Sequence, residues 1–354
     1  MSRFFSEKYA ALTPYTPGEQ PQDQQYIKLN TNESPFPPAP EAQQMAAEAA
    51  EKLQLYSDPT AAPLHRALAE TLGVAPTEVL ATNGSDEILN FAFMAFCDAA
   101  HPAVFPDITY GFYPVFAALN GVPATVLPLR DDLTVDLDAL AAAKGTIFLA
   151  NPNAPTGIAL PRAAIEALLA ADPDRMVVVD EAYVDFGAES CVPLIKKYDN
   201  LLVTQTFSKS RSLAGARLGF GVGCEALIND LNTIKYSTNP YNVNRMTMAA
   251  GIGALAQEAY TRANCAAIIE NRAFAADGLR ALGFELTDSR ANFLFAKHPR
   301  IGGEAFYKAL RARGILVRHF STERIKDYNR ITVGSRAQMQ ALLDAAAAIL
   351  EETP

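Results

Sequence analysis

Between Thr206 and Gly219 the chain reads Thr-Phe-Ser-Lys-Ser-Arg-Ser-Leu-Ala-Gly-Ala-Arg-Leu-Gly. Lys209 sits among three small hydroxylic residues, Thr206, Ser208 and Ser210, and Arg217 follows it eight positions on. A lysine amine held among hydroxyls and near a fixed cation gives up its proton easily enough to form a Schiff base. Hydroxyls and an arginine also suit a phosphate, because the planar guanidinium matches phosphate oxygens. The same residues could equally make a solvated polar loop. A second group, Asn83-Gly84-Ser85-Asp86-Glu87, opens an apolar helix. Free amides at such a helix start can hold an anion, although this is also an ordinary turn and cap.

The chemistry depends on the elements that would carry these residues. Leu201-Leu202-Val203 reads as the end of a buried strand, which puts Lys209 in a loop beyond it. Further strands are expected at Val79–Thr82, Pro102–Phe105, Val122–Leu127, Thr146–Ala150 and Met176–Asp180. Helices are expected at 41–55, 64–72 (ended by Gly73), from Ser85 through Cys97, at 137–143 and at 162–170. Short apolar strands alternating with helices predict an α/β fold with a parallel sheet covered on both faces. Asn153, Asp180, Glu181, Tyr183 and Lys209 then fall at or just after strand ends, where open sheets of this kind bind ligands. Gly219-Phe-Gly-Val-Gly223 reads as a glycine-rich strand beside the site. From Asn242 to Leu282 a long helical stretch follows, with Gly251 and Gly253 as weak points. The remainder, strand 292–296, helix 304–313, strands 315–317 and 330–333 and helix 337–351, predicts a smaller α+β domain. Residues 1–40, rich in Pro, Gln and Asn, read as an extended arm whose aromatics pack on another body.

Composition narrows the functional classes. The chain has 354 residues, 49% hydrophobic and 19% charged, enough for two domains and a sizeable core. Its net charge of −9 argues against non-specific nucleic-acid binding. No apolar run is long enough to span a membrane, and no secretory signal opens the sequence. Cys97, Cys191, Cys224 and Cys265 are widely spaced and read as thiols of a reducing compartment, the cytoplasm. The four histidines show no ligand spacing, so no metal is expected.

Taken in order, Leu12-Thr-Pro-Tyr15, Asn30-Thr-Asn-Glu33, the Asn-Ala-Pro-Thr-Gly turn, Asp180, Tyr183, Lys209, Arg217 and Arg330-Ile-Thr-Val-Gly334 resemble the histidinol-phosphate aminotransferase family of fold type I pyridoxal-phosphate enzymes. The resemblance runs nearly end to end. It implies an N-terminal arm (1–45), a large cofactor domain (46–245) with a mostly parallel central sheet, and a connecting helix with a small domain (246–354). It also implies a cytoplasmic homodimer with shared sites, acting in histidine biosynthesis. By the same resemblance Lys209 binds pyridoxal 5′-phosphate and moves the substrate proton, Asp180 keeps the pyridine nitrogen protonated, and Tyr183 contacts the phenolic oxygen. Ser85, Asp86, Thr206, Ser208 and Arg217 cradle the phosphate, Tyr56 reaches in from the partner subunit, and Tyr110 stacks on the ring. Arg330 and Arg318 anchor substrate anions, and Tyr15 closes the pocket. One departure is visible: Ala154 stands where the family usually has asparagine, so Asn153 is the candidate to substitute for it.

The implied reaction exchanges an amino group between L-histidinol phosphate and 2-oxoglutarate. An aromatic amino-acid transaminase or a threonine-phosphate decarboxylase of the same fold would share nearly every cofactor residue. A nucleotide-dependent dehydrogenase would need a glycine fingerprint that the first strand and turn, Val79–Ser85, do not supply. A cofactor-binding regulator would need a DNA-binding module, for which the chain has no room.

Overall fold

A computed structural model describes residues 2–353. Its centre is a seven-stranded sheet built from β2 (Val79–Thr82), β3 (Ala103–Pro106), β4 (Ala124–Leu127), β5 (Thr146–Ala150), β6 (Val177–Asp180), β7 (Leu201–Thr206) and β8 (Gly219–Val222); a short β1 (Ile27–Lys28) precedes them. The strand order is β2-β8-β7-β6-β5-β3-β4, with β8 antiparallel to both neighbours and the other pairings parallel. The inner strands read as continuous apolar runs because both faces are buried. Successive residues alternate between two cores: Ile147, Leu149, Val177, Val179, Leu201 and Val203 enter one, and Phe148, Val178 and Leu202 the other. Each such side chain contributes about 1.5–3 kcal/mol by burial.

The helices that cover this sheet are α1 (Pro40–Ala50), α2 (Ala62–Leu72), α3 (Ser85–Phe96), α4 (Tyr113–Asn120), α5 (Leu137–Ala142), α6 (Arg162–Ala171), α7 (Glu225–Thr238) and α8 (Arg245–Leu255). Gly73, at φ 69°, ends α2 in the left-handed conformation. The expected helix 41–55 stops at Ala50 and gives way to turns before Tyr56. The triplet 201–203 begins its strand and does not end it; β7 runs on to Thr206 and brings Lys209 within three residues of the sheet edge. Helices α4 and α7 fall in stretches for which the sequence predicts no element.

The expected single helix over 242–282 is two. Helix α8 ends at Leu255, and α9 (Glu258–Ala281) starts beyond Gln257, so the break lies after the glycines. Gly253 serves close packing: a β-carbon there would lie 2.7 Å from the Ala42 nitrogen and the Glu41 carbonyl of α1. Ala250, Ala254 and Leu255 belong to the large core, whereas α9 packs into a second one. That smaller core lies under the sheet β12-β13-β10-β9, made of β9 (Glu285–Leu286), β10 (Phe293–Lys297), β12 (Arg318–His319) and β13 (Asn329–Thr332), with α10 (Gly303–Ala312) and α11 (Arg336–Glu352). A capping box, Ser335 with Gln338, starts α11. The arm joins this part: β1 pairs in parallel with β11 (Ile315–Leu316). No described helix is long and apolar enough to cross a membrane.

Candidate active site

At the end of β7, Thr206 Oγ1 and Ser208 Oγ are 3.0 Å apart, and the Ser208 N–H donates to Thr206 Oγ1 at 3.1 Å. This small turn, closed by the Phe207 N–H on the Leu218 carbonyl, sends the Lys209 side chain inward. Its Nζ donates to the Thr31 carbonyl of the arm at 3.2 Å and lies 5.8 Å from the centre of the Tyr183 ring. Burial, reinforced by the Arg330 charge, lowers the Lys209 pKa to about 8.

The preceding strand, β6, lies directly beside β7 in the sheet and ends in Asp180. Its carboxylate accepts from the Tyr113 hydroxyl at 3.2 Å and the Ala182 N–H at 3.2 Å. Burial pushes its pKa up to about 6, against those hydrogen bonds. A cation placed beside it would reverse that shift, because the ionised form is then favoured. Tyr113 was missed by the sequence reading. The signal was there: Pro114 directly after it is a helix-start residue, and α4 presents Tyr113 to the core.

The opposite wall is a cradle of backbone and side-chain donors. No side chain caps α3, so its first-turn amides at Ser85 and Asp86 remain available. Gly84 has φ 77°, and a β-carbon on it would lie 2.6 Å from Arg217 Nη2. Only glycine lets the guanidinium approach this turn. Arg217 donates to Asp86 Oδ2 at 3.1 Å, and Tyr110 donates to the other oxygen at 2.6 Å. The amides, the Thr206 and Ser208 hydroxyls and Arg217 together fit a phosphate group.

These residues enclose a cavity of about 460 Å³, lined also by Glu33, Tyr110, Ala154, Asp180, Tyr183 and Lys209. A second cavity of about 580 Å³ adjoins it, with Tyr110 and Ala154 bordering both; Tyr15, Arg318, Phe320 and Arg330 line it. Arg318 and Arg330 face each other across β12 and β13. The Arg330 guanidinium, its pKa lowered by burial, donates to the Asn30 carbonyl at 3.0 Å and has no partner for Nε. Arg318 donates to the arm carbonyls of Thr16 and Pro17 at 3.0 and 3.2 Å. Tyr15 stacks on Phe112, ring centres 4.4 Å apart.

Two expected site residues lie elsewhere. Asn153 does not line either cavity: its amide donates to the Ile108 carbonyl and to Thr156, and its oxygen accepts from Thr109, so its polar groups are spent holding the turn. The asparagine of this turn therefore does not stand in for the residue replaced by Ala154. Tyr56 is 80% exposed and stacks on Tyr241 at the surface, 4.7 Å between centres. Asn32, within the Asn30–Glu33 stretch, has no expected role in the sequence, yet its Nδ2 donates to the Tyr183 hydroxyl at 2.9 Å.

Comparison with known proteins places this geometry in a family. A histidinol-phosphate aminotransferase 1 of Bradyrhizobium diazoefficiens is 49% identical over 344 residues, covering 97% of this chain and 98% of its own length. The corresponding protein of Pseudomonas aeruginosa is 47% identical over 346 residues, with 98% and 99% covered. Among solved structures, the histidinol-phosphate aminotransferase of Sinorhizobium meliloti in complex with pyridoxal-5′-phosphate superposes with a TM-score of 0.89 at 25% identity, covering 99% of each chain. The fold is thus that of the fold type I pyridoxal-phosphate aminotransferases. Residues 24–345 match the family described as aminotransferase class I and II, and the chain belongs to it.

Proposed function

We propose that this protein is a transaminase that uses pyridoxal 5′-phosphate to exchange an amino group between L-histidinol phosphate and 2-oxoglutarate. The observation that carries this reading is the joining of two cavities. One holds an amine, Lys209, with a matched carboxylate, hydroxyl and phosphate cradle; the other holds two facing arginines. When bound, the cofactor supplies an aldehyde for the substrate amine and an electron sink for the substrate α-carbon. Ser85, Asp86, Thr206, Ser208 and Arg217 would hold its phosphate, Asp180 its ring nitrogen, Tyr183 its phenolic oxygen and Tyr110 one face of its ring.

The chain's own groups then have separate tasks. Asp180 would favour a protonated ring nitrogen on the bound cofactor, since a buried carboxylate is satisfied by an adjacent cation. Lys209, with its pKa lowered to about 8, is half neutral at that pH and more so above it, and its neutral Nζ would take the substrate α-proton and return it. Tyr183 donates its hydroxyl proton. Arg330 grips the carboxylate of glutamate or the phosphate of histidinol phosphate. Arg318 joins it on the phosphate, whose charge-assisted bonds outcompete the two arm carbonyls it now serves.

The active unit in this proposal is a homodimer in the cytoplasm, with Tyr56 entering the partner's cofactor site. Leu53, Leu55 and Tyr56 form an exposed apolar group beside Tyr241, the kind of surface that a partner covers. Four cysteines without a disulfide suit a reducing compartment.

A half-reaction screen tests the substrate. The absorbance of the purified holoenzyme is followed with L-histidinol phosphate, phenylalanine, tyrosine and threonine phosphate in turn. The first should react at the lowest concentration. Arg318→Ala should weaken it by about one to two decades, the loss of one charge-assisted contact, and affect glutamate less. Arg330→Ala should harm both. Unchanged kinetics with histidinol phosphate in Arg318→Ala would favour the aromatic transaminase.

A further inference from the structure

The Tyr183 hydroxyl is aimed by a residue 151 positions away. Asn32 stands at φ 57°, a left-handed conformation that asparagine tolerates. Its backbone N–H donates to Thr332 Oγ1 at 2.9 Å, and that hydroxyl lies 3.1 Å from Asn32 Oδ1. A hydroxyl carries one proton. Thr332 Oγ1 accepts the backbone N–H and gives its one proton to Oδ1, so the amide oxygen faces Thr332. Nδ2 is left facing Tyr183, where it donates to the phenolic oxygen at 2.9 Å. Asn292 Nδ2 donates to the Asn32 carbonyl at 3.0 Å and pins the backbone. Asn32, Asn292 and Thr332 are all buried.

No other described side chain bonds the Tyr183 hydroxyl. The neighbouring turn offers none, because the Asn153 amide is engaged elsewhere and Ala154 presents a methyl group. A phenol that accepts from an amide keeps its own proton to give. We propose that Asn32, locked by Thr332, is a positioning residue that commits Tyr183 to donate toward the phenolic oxygen of the bound cofactor. This inference rests on the transaminase reading above. It also ties two parts of the site together. Thr332 and Arg330 lie two residues apart on β13, on one side of the strand, so one strand carries both the substrate's anion anchor and the lock on the cofactor's tyrosine.

The test is a pH titration of the visible absorbance of the protein reconstituted with pyridoxal 5′-phosphate. A donor at the phenolic oxygen stabilises the ring's anionic form and lowers the pH at which the chromophore gives up its proton. Tyr183→Phe should therefore raise the titration midpoint. Asn32→Gly, which keeps the left-handed backbone without strain, should raise it by about half to one pH unit, the worth of one neutral hydrogen bond. Thr332→Val should raise it by less. In a Tyr183→Phe background neither change should move it further, since the effect passes through the tyrosine. A midpoint unchanged in Asn32→Gly, or the same shift with phenylalanine at 183, overturns the proposal. Should Asn32→Gly fail to fold, an unchanged midpoint in Thr332→Val overturns it alone. A wild-type chain that takes up no pyridoxal phosphate overturns the functional reading, and this inference with it.

Discussion

Lys209 is useful as an amine only to the extent that it is unprotonated. With its pKa lowered to about 8 by burial, half of it is neutral at that pH, whereas an ordinary lysine reaches this point near 10.4. The protonated form dominates below about 8 and is lost as pH rises through it. The rate at which the apoprotein takes pyridoxal phosphate into a borohydride-reducible bond should therefore climb from pH 7 to 9 and level off. The label, located by peptide mass spectrometry, should sit on Lys209. A rate still climbing steeply between pH 9 and 10.5, or a label on another lysine, would contradict the assignment. Lys209, Asp180 and Arg217 were legible in the sequence because each is a charged residue directly beyond an apolar strand or at a fixed offset from one. Tyr113 and Asn32 were not, because what they do is set by partners 67 and 151 residues away.

The strands of the central sheet were legible for a simple reason. Burial on both faces leaves a short apolar run in β5, β6 and the first half of β7. Helix α4 is only eight residues long, too short for its buried Tyr113, Phe116 and Ala117 to show a clear helical period. The glycines of α8 misled in the other direction, since their purpose is proximity to α1 and Leu218, not a hinge. That distinction can be measured. Gly253→Ala adds a β-carbon against the α1 backbone, which cannot step aside, and should cost about 1–3 kcal/mol despite alanine's better helix propensity. Gly278→Ala, in α9, meets only the end of the Leu343 side chain, which can rotate, and should cost less. Urea unfolding midpoints of the two variants decide it; equal costs would mean that α1 and α8 have room to separate.

On the scale of the whole molecule, the chain presents Tyr56 outward, away from its own cavity. Composite sites make a definite forecast. Tyr56→Ala and Arg217→Ala chains, each inactive as homodimers, should regain activity when mixed and refolded, because one of the two sites in a heterodimer is then intact. Heterodimers that form and stay inactive would show that Tyr56 serves only its own subunit. The packing changes from one core to the other between α8 and α9. The earliest part of the chain is joined to the latest: β1 to β11, Glu19 to Arg311, Asn32 to Thr332. During synthesis the central sheet can assemble once β8 has emerged from the ribosome, but the arm segment that supplies Thr31 and Asn32 has no docking surface yet. The wall around Lys209 closes only after β13 has been made. A nascent chain thus carries its reactive lysine in an open cleft, and the finished pocket is among the last things that translation delivers.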